Sequence, residues 1–203
     1  MKYCTKNSTL IISGEFEGLS TGINGGRGYV KSIFNHEVNN GFEFKDPVQY
    51  LDNVAEYNEV YKPYFGLLTA VEMENLCIKT DDNLTTFVTA GITHPSVYRL
   101  DGYYPGTINI ILVVDAELSE GAMAGAIITA TEAKGLALMK MGYDFLGTTT
   151  DAVVVAYQKQ NKNSSPYIEY AGSYTDFGKK ITDTVVKGVK EGIKKTHPES
   201  ASY

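Results

Sequence analysis

The stretch Thr129–Ala156, TATEAKGLALMKMGYDFLGTTTDAVVVA, joins the end of a helix, a polar turn and a strand. Its first part continues an apolar helical pattern that starts at Ser119, and its last part is a valine run suited to a buried strand. Between them, Gly147-Thr148-Thr149-Thr150-Asp151 gathers three hydroxyls and a carboxylate just ahead of that strand. Inside the helix stand Thr131, Glu132 and Lys134, and polar groups among apolar neighbours are costly unless they are paired or used. A core needs none of them, so the stretch reads as a site carried on a helix and a turn.

Working outward, Ser119 is a helix N-cap, and the helix to Met141 spans about 35 Å at 1.5 Å per residue. Ala122, Ala124, Ala126, Ala130, Ala133 and Ala137 make it small-sided. Strands are expected at Thr9–Ser13, Tyr29–Asn35, Phe65–Val71, Asn75–Lys79, Leu84–Ile92, Thr107–Val114 and Ala152–Tyr157. Asp46-Pro47 opens a helix that runs to about Tyr61. Thr93–Pro105 and Gln158–Pro166 read as loops. Thr175 caps a C-terminal helix with a stripe of Phe177, Ile181, Val185, Val189 and Ile193, and residues 197–203 read as a frayed tail. Strands outnumber helices and the helices come late. The expected class is α+β: a single domain over 1–203, with a mixed β-sheet layered by the long Ala-rich helix and the amphipathic C-terminal helix.

The chain has 203 residues, 43% hydrophobic, with a net charge of −6. Only Arg27 and Arg99 are arginine, so a nucleic-acid partner is not expected. Cys4 and Cys77 form no C-x-x-C pair, no secretory pattern opens the chain, and the long helix carries Glu132 and Lys134. The expected setting is the cytoplasm, with no membrane partner.

The polar residues carry the chemistry. Thr148 and Thr150 can donate, accept or attack, and Asp151 can orient a hydroxyl or take its proton; the competing reading is a strand-entry turn whose aspartate satisfies loop amides. Each helical residue turns by about 100°, so Glu132 and Lys134 would serve one site only from its two walls. Asn24-Gly25-Gly26-Arg27-Gly28 lacks the spacing of a P-loop; it offers backbone N–H groups to an oxyanion or forms a hairpin turn. His36, His94 and His197 are the only histidines and none stands at metal-ligand spacing; no metal is expected. His36 is a candidate for acid–base work. No G-x-S-x-G elbow is present.

Thr89-Ala90-Gly91, Gly106-Thr107-Ile108-Asn109-Ile110, Ala130-Thr131-Glu132-Ala133-Lys134 and Gly147-Thr148-Thr149-Thr150-Asp151-Ala152 resemble, in order and spacing, the adenosylcobinamide amidohydrolase family. Asn24-Gly25-Gly26, Asn35-His36-Glu37-Val38, Leu68-Thr69-Ala70, Tyr170-Ala171-Gly172 and Phe177-Gly178 fit the same pattern. The chain departs from it at Thr149, where the family usually has a glycine, and at His94, where it usually has an asparagine. The resemblance implies salvage of incomplete corrinoids: hydrolysis of the amide between the aminopropanol arm and the corrin ring of adenosylcobinamide, giving adenosylcobyric acid. The corrinoid is the substrate and no cofactor is expected. A homo-oligomer is compatible with the sequence.

Under that implication Glu132 is the expected base, Asp151 orients the attacking group with Thr148 or Thr150, and Lys134 or the amides near Gly25-Gly26 steady the oxyanion. His36 protonates the amine. Asn24, Asn35, His94 and Asn109 complete the substrate-binding set. The alternatives are a non-catalytic corrinoid-binding protein and a self-cleaving acyl transferase with an N-terminal threonine.

Overall fold

A computed structural model describes residues 1–39, 45–92, 106–158 and 166–198. In chain order they form β1 (Lys2–Lys6), β2 (Thr9–Ser20), β3 (Gly26–Glu37), α1 (Pro47–Tyr57), β4 (Tyr64–Thr69), a 3-10 turn (Met73–Asn75), β5 (Cys77–Asp81), β6 (Leu84–Gly91), β7 (Thr107–Val114), β8 (Glu117–Leu118), α2 (Glu120–Lys140), β9 (Ala152–Gln158), β10 (Tyr167–Ile168) and α3 (Asp176–Thr196). The main sheet runs β4-β3-β2-β9-β7-β6-β5, with β1 beside the first half of β2. It is mixed: β3–β4 and β7–β9 are parallel and the other pairs antiparallel. The α+β class, the layered helices and the single sheet-based domain are those the sequence predicts.

Side-chain alternation sorts this sheet into three cores. Ile108, Ile110, Leu112 and Val114 of β7 face α2 and α3, as do Val153 and Val155 of β9. The alternate residues Ile111, Val113, Ala152, Val154 and Ala156 meet Leu10, Ile12, Phe16, Ile33, Phe65 and Leu67. Ile11 and Phe34 pack with Leu51, Val54 and Ala55 of α1 on the third face. The sheet therefore folds over on itself. Its β2–β3–β4 half covers one face of its β9–β7–β6 half, with α1 outside the first and α2 and α3 outside the second. An extra residue in β2 between Ser13 and Phe16 shifts the register against β3 there, and such a bulge sharpens twist and bend.

Asp46, Ser119 and Thr175 cap α1, α2 and α3 by accepting from the N–H groups of Gln49, Ala122 and Gly178. α2 is long and apolar enough by composition to cross a membrane, yet 56% of its apolar window is buried within the fold. Its alanines explain the seat: Ala122, Ala126, Ala130 and Ala137 have no exposed surface.

Sequence expectations shift at several elements. β2 runs on to Ser20 instead of ending at Ser13. α1 stops at Tyr57 rather than near Tyr61, because Glu59 takes a left-handed φ of 56° and the Val60 N–H reaches back to the Ala55 carbonyl at 2.8 Å. β1 is exposed along its length, so it lacks the apolar signal of a strand. The two-residue turn Asn7-Ser8, with φ of 48° and 53°, sets its hairpin.

Candidate active site

The turn after α2 and the N-terminal edge of β9 form a closed polar knot. Lys134 follows Ala122, Ala126 and Ala130 at four-residue steps and so lies on the buried stripe of α2. Its ammonium is bonded to Asp151 Oδ2, and the two side chains are 9% and 10% exposed. The Asp151 carboxylate also accepts from the Thr148 N–H at 3.0 Å, the Ile108 N–H at 2.9 Å and the Thr148 hydroxyl at 2.5 Å. Gly147 is required beside this knot: a Cβ there would come within 2.3 Å of Asp151 Oδ2 and 2.5 Å of Lys134 Nζ.

The knot reaches β7 through hydroxyls. Thr148 and Thr150 lie 2.6 and 3.0 Å from the Gly106 carbonyl, and Thr150 is 2.8 Å from the Thr107 hydroxyl. Gly106 and Thr107 also form one wall of a cleft of about 260 Å³, whose other walls are Ala70, Val71, Glu72, Asn75, Gly91 and the end of α3, Lys195-Thr196-His197. Lys195 is paired with Glu191 at 3.0 Å; Lys79, then Lys195, holds that carboxylate well below its usual range, at about 2. The His197 Nδ1 is 2.9 Å from the Thr196 hydroxyl, and burial lowers the pKa of the ring.

One pleat beneath the cleft, Asn109 and Thr89 stand opposite each other on β7 and β6. Asn109 Nδ2 donates to Asn35 Oδ1 at 2.9 Å and to the Leu68 carbonyl at 2.8 Å, and Asn35 Nδ2 donates to Thr89 at 2.9 Å. These bonds fasten the two halves of the folded sheet together. Asn109 Oδ1 is buried and has no partner among the described residues.

The structure thus brings together Lys134, Thr148, Thr150 and Asp151, and stacks Asn35 and Asn109 below the neighbouring cleft. It does not bring Glu132 to them. Glu132 is exposed, turned off the Lys134 stripe by the helical rotation per residue. His36 lies on the α1 face, its Nδ1 2.7 Å from the Thr9 hydroxyl and its Nε2 3.3 Å from the Tyr50 hydroxyl. Burial lowers its pKa, against a smaller opposing pull from Glu37. Asn24-Gly25-Gly26 ends the β2–β3 hairpin; Thr21 ties that turn to Val153, and none of the three lines the cleft. His94 lies outside the described residues. Among the described residues no group of three or more His, Cys, Asp or Glu could hold a metal ion.

Glu72, Asn75 and His197 line the cleft and are not among the residues the sequence singled out. For His197 a signal was present: it continues the four-residue series Phe177, Ile181, Val185, Val189, Ile193 on the buried face of α3.

A cleft at the edge of a sheet folded over a buried polar layer is concave, as small-molecule sites are. The adenosylcobinamide amidohydrolase family model matches residues 3–201. An adenosylcobinamide amidohydrolase of Methanosarcina mazei is 50% identical over 95% of this chain and 98% of its own length. One from Halobacterium salinarum is 28% identical over 63% of this chain and 57% of its own. An uncharacterised protein of Methanocaldococcus jannaschii is 29% identical over 81% and 77%. A solved structure from Pyrococcus horikoshii OT3 is similar over 93% of this chain and 76% of its own, at 10% identity and a TM-score of 0.43. The chain belongs to the adenosylcobinamide amidohydrolase family.

Proposed function

We propose that the protein hydrolyses the amide joining the aminopropanol arm of adenosylcobinamide to the corrin ring, releasing adenosylcobyric acid and aminopropanol. Family membership supports the reaction, and one geometric observation supports its location: the cleft beside Thr107 holds about 260 Å³. Drug-sized ligands fill roughly 300–1,000 Å³. The cleft therefore suits a short hydroxyalkyl arm, with the bulky corrin ring left outside its mouth.

In this reading the polar knot is the rigid wall of the site. Asp151, held by Lys134 and two backbone amides, fixes Thr148 and, through the Ile108 N–H, the start of β7, where Thr107 meets Thr150. With the Thr150 hydrogen given to Thr107, the Thr107 hydroxyl, which lines the cleft, has its own hydrogen to give to the oxyanion that forms when the amide carbonyl is attacked. A carboxylate accepting four hydrogen bonds has little capacity left to take a proton, so Asp151 orients rather than acts as base. Asn35 and Asn109 hold the cleft floor. Cys4 and Cys77 are free thiols, which supports a reducing compartment, and the cytoplasm is the setting we propose.

Incubation with adenosylcobinamide, followed by mass spectrometry, tests the reading. Release of aminopropanol with appearance of adenosylcobyric acid is expected. Corrinoid binding without release would instead make the protein a binding module.

A further inference from the structure

We infer that His197 is the general base of the cleft, taking a proton from the attacking water through Nε2. The inference rests on the hydrolase reading above. Its first support is position: His197 closes the wall of the cleft at the end of α3, in the cavity that Gly106 and Thr107 also line. The Asp151 knot supplies no free base, and His36 is engaged at both ring nitrogens on the α1 face.

The second support is the tautomer that the surroundings impose. The Thr196 hydroxyl lies 3.0 Å from the Ala90 carbonyl, 3.0 Å from the Gly192 carbonyl and 3.3 Å from the Ile193 carbonyl. Carbonyls only accept, and a hydroxyl has one hydrogen to give. That hydrogen goes to a carbonyl, so at 2.9 Å the hydroxyl oxygen accepts from Nδ1–H. The opposite assignment would leave all three carbonyls facing a lone pair. With the proton on Nδ1, the Nε2 lone pair is available, and Nε2 has no partner among the described residues. Thr196 is thus a positioning residue for His197.

Burial works in the same direction by disfavouring the imidazolium, so the ring is neutral at neutral pH. Among the described residues the charged groups that share the cleft are Glu72, which is exposed, and Lys195, which is paired with Glu191 on its own helix. The step balances. Nε2 takes a proton from water as the water oxygen bonds to the amide carbon. The carbon–nitrogen bond then breaks, and the proton on Nε2 passes to the departing amine.

The test is turnover of adenosylcobinamide by full-length wild type, His197→Gln, His197→Ala and Thr196→Val across pH, read as aminopropanol release. Wild-type kcat should fall as pH drops through an acid limb centred below the ordinary histidine value of about 6.5. His197→Gln should lower kcat by about 10²–10⁴-fold and flatten that limb, with corrinoid affinity retained. Added imidazole should partly restore His197→Ala, which keeps the test open if the glutamine variant folds poorly. Thr196→Val should displace the limb, which a merely structural role would not do. An active wild type beside a His197→Gln enzyme of equal turnover and unchanged acid limb overturns this assignment alone. A wild type that releases no aminopropanol overturns the hydrolase reading itself, and the assignment with it.

Discussion

On the Asp151 side of the cleft the polar groups are consumed by one another; on the α3 side a ring nitrogen is left over among the described residues. The Asp151 carboxylate accepts from Lys134, from two backbone N–H groups and from Thr148. His197 uses Nδ1 on Thr196, and its Nε2 has no partner among the described residues. Chemistry needs both conditions, because a reacting group must be free and the wall that positions the substrate must not move. A conspicuous cluster of acid, base and hydroxyl is therefore not by itself the reacting centre. The number of unused lone pairs separates the support from the reagent.

The largest expected break in that comparison comes from Asp151→Ala. It strips the Thr148 and Ile108 amides of their acceptor and leaves the Lys134 ammonium buried without its partner. Removing one member of a buried pair costs about 3–5 kcal/mol. Denaturant unfolding should show that loss, and aminopropanol release should vanish. Asp151→Ala with wild-type stability would mean that the knot supports nothing.

Much of this wall was legible in the sequence. The threonine turn announced itself because hydroxyls gathered ahead of a valine run have no place in a core. Lys134 follows the alanine stripe, so its burial and its need for a partner follow from helical spacing. β7 matches its expected limits, Thr107–Val114, because an apolar run broken only by Asn109 leaves a strand little other register. The folding of the sheet upon itself was not legible: the angle between its halves comes from a bulge in β2 and from inter-sheet bonds such as Asn35 to Thr89 and Asn109. Without that fold the cleft cannot be drawn, since Val71 and Glu72 follow β4 while Thr107 begins β7. His197 looked like tail because Pro198 and a polar run follow it, although its place in the α3 stripe argued otherwise.

A smaller effect sharpens the claim that the knot is rigid. Gly147→Ala adds one methyl group where 2.3 Å separates the Cβ position from Asp151 Oδ2. The Lys134–Asp151 pair must then give way, and overpacking of this kind costs about 1–3 kcal/mol. Turnover should fall while the acid limb of the pH profile stays in place, because His197 is untouched. A Gly147→Ala enzyme whose limb moves would tie the two sides of the cleft together more closely than their bonds indicate.

The smallest effect belongs to Glu132, two residues from Lys134 and in the opposite environment. It is exposed, and no hydrogen bond or ion pair engages it among the described residues. Surface substitutions of this kind stay within about 0.5 kcal/mol. Glu132→Gln should therefore unfold at the wild-type denaturant midpoint and hydrolyse adenosylcobinamide at the wild-type rate. A tenfold or greater loss of kcat, about the lower limit for removing a general base or acid, would put the reacting amide on the outer face of α2. The Thr107 cleft would then be a bystander, and the free nitrogen of His197 would serve something other than this reaction.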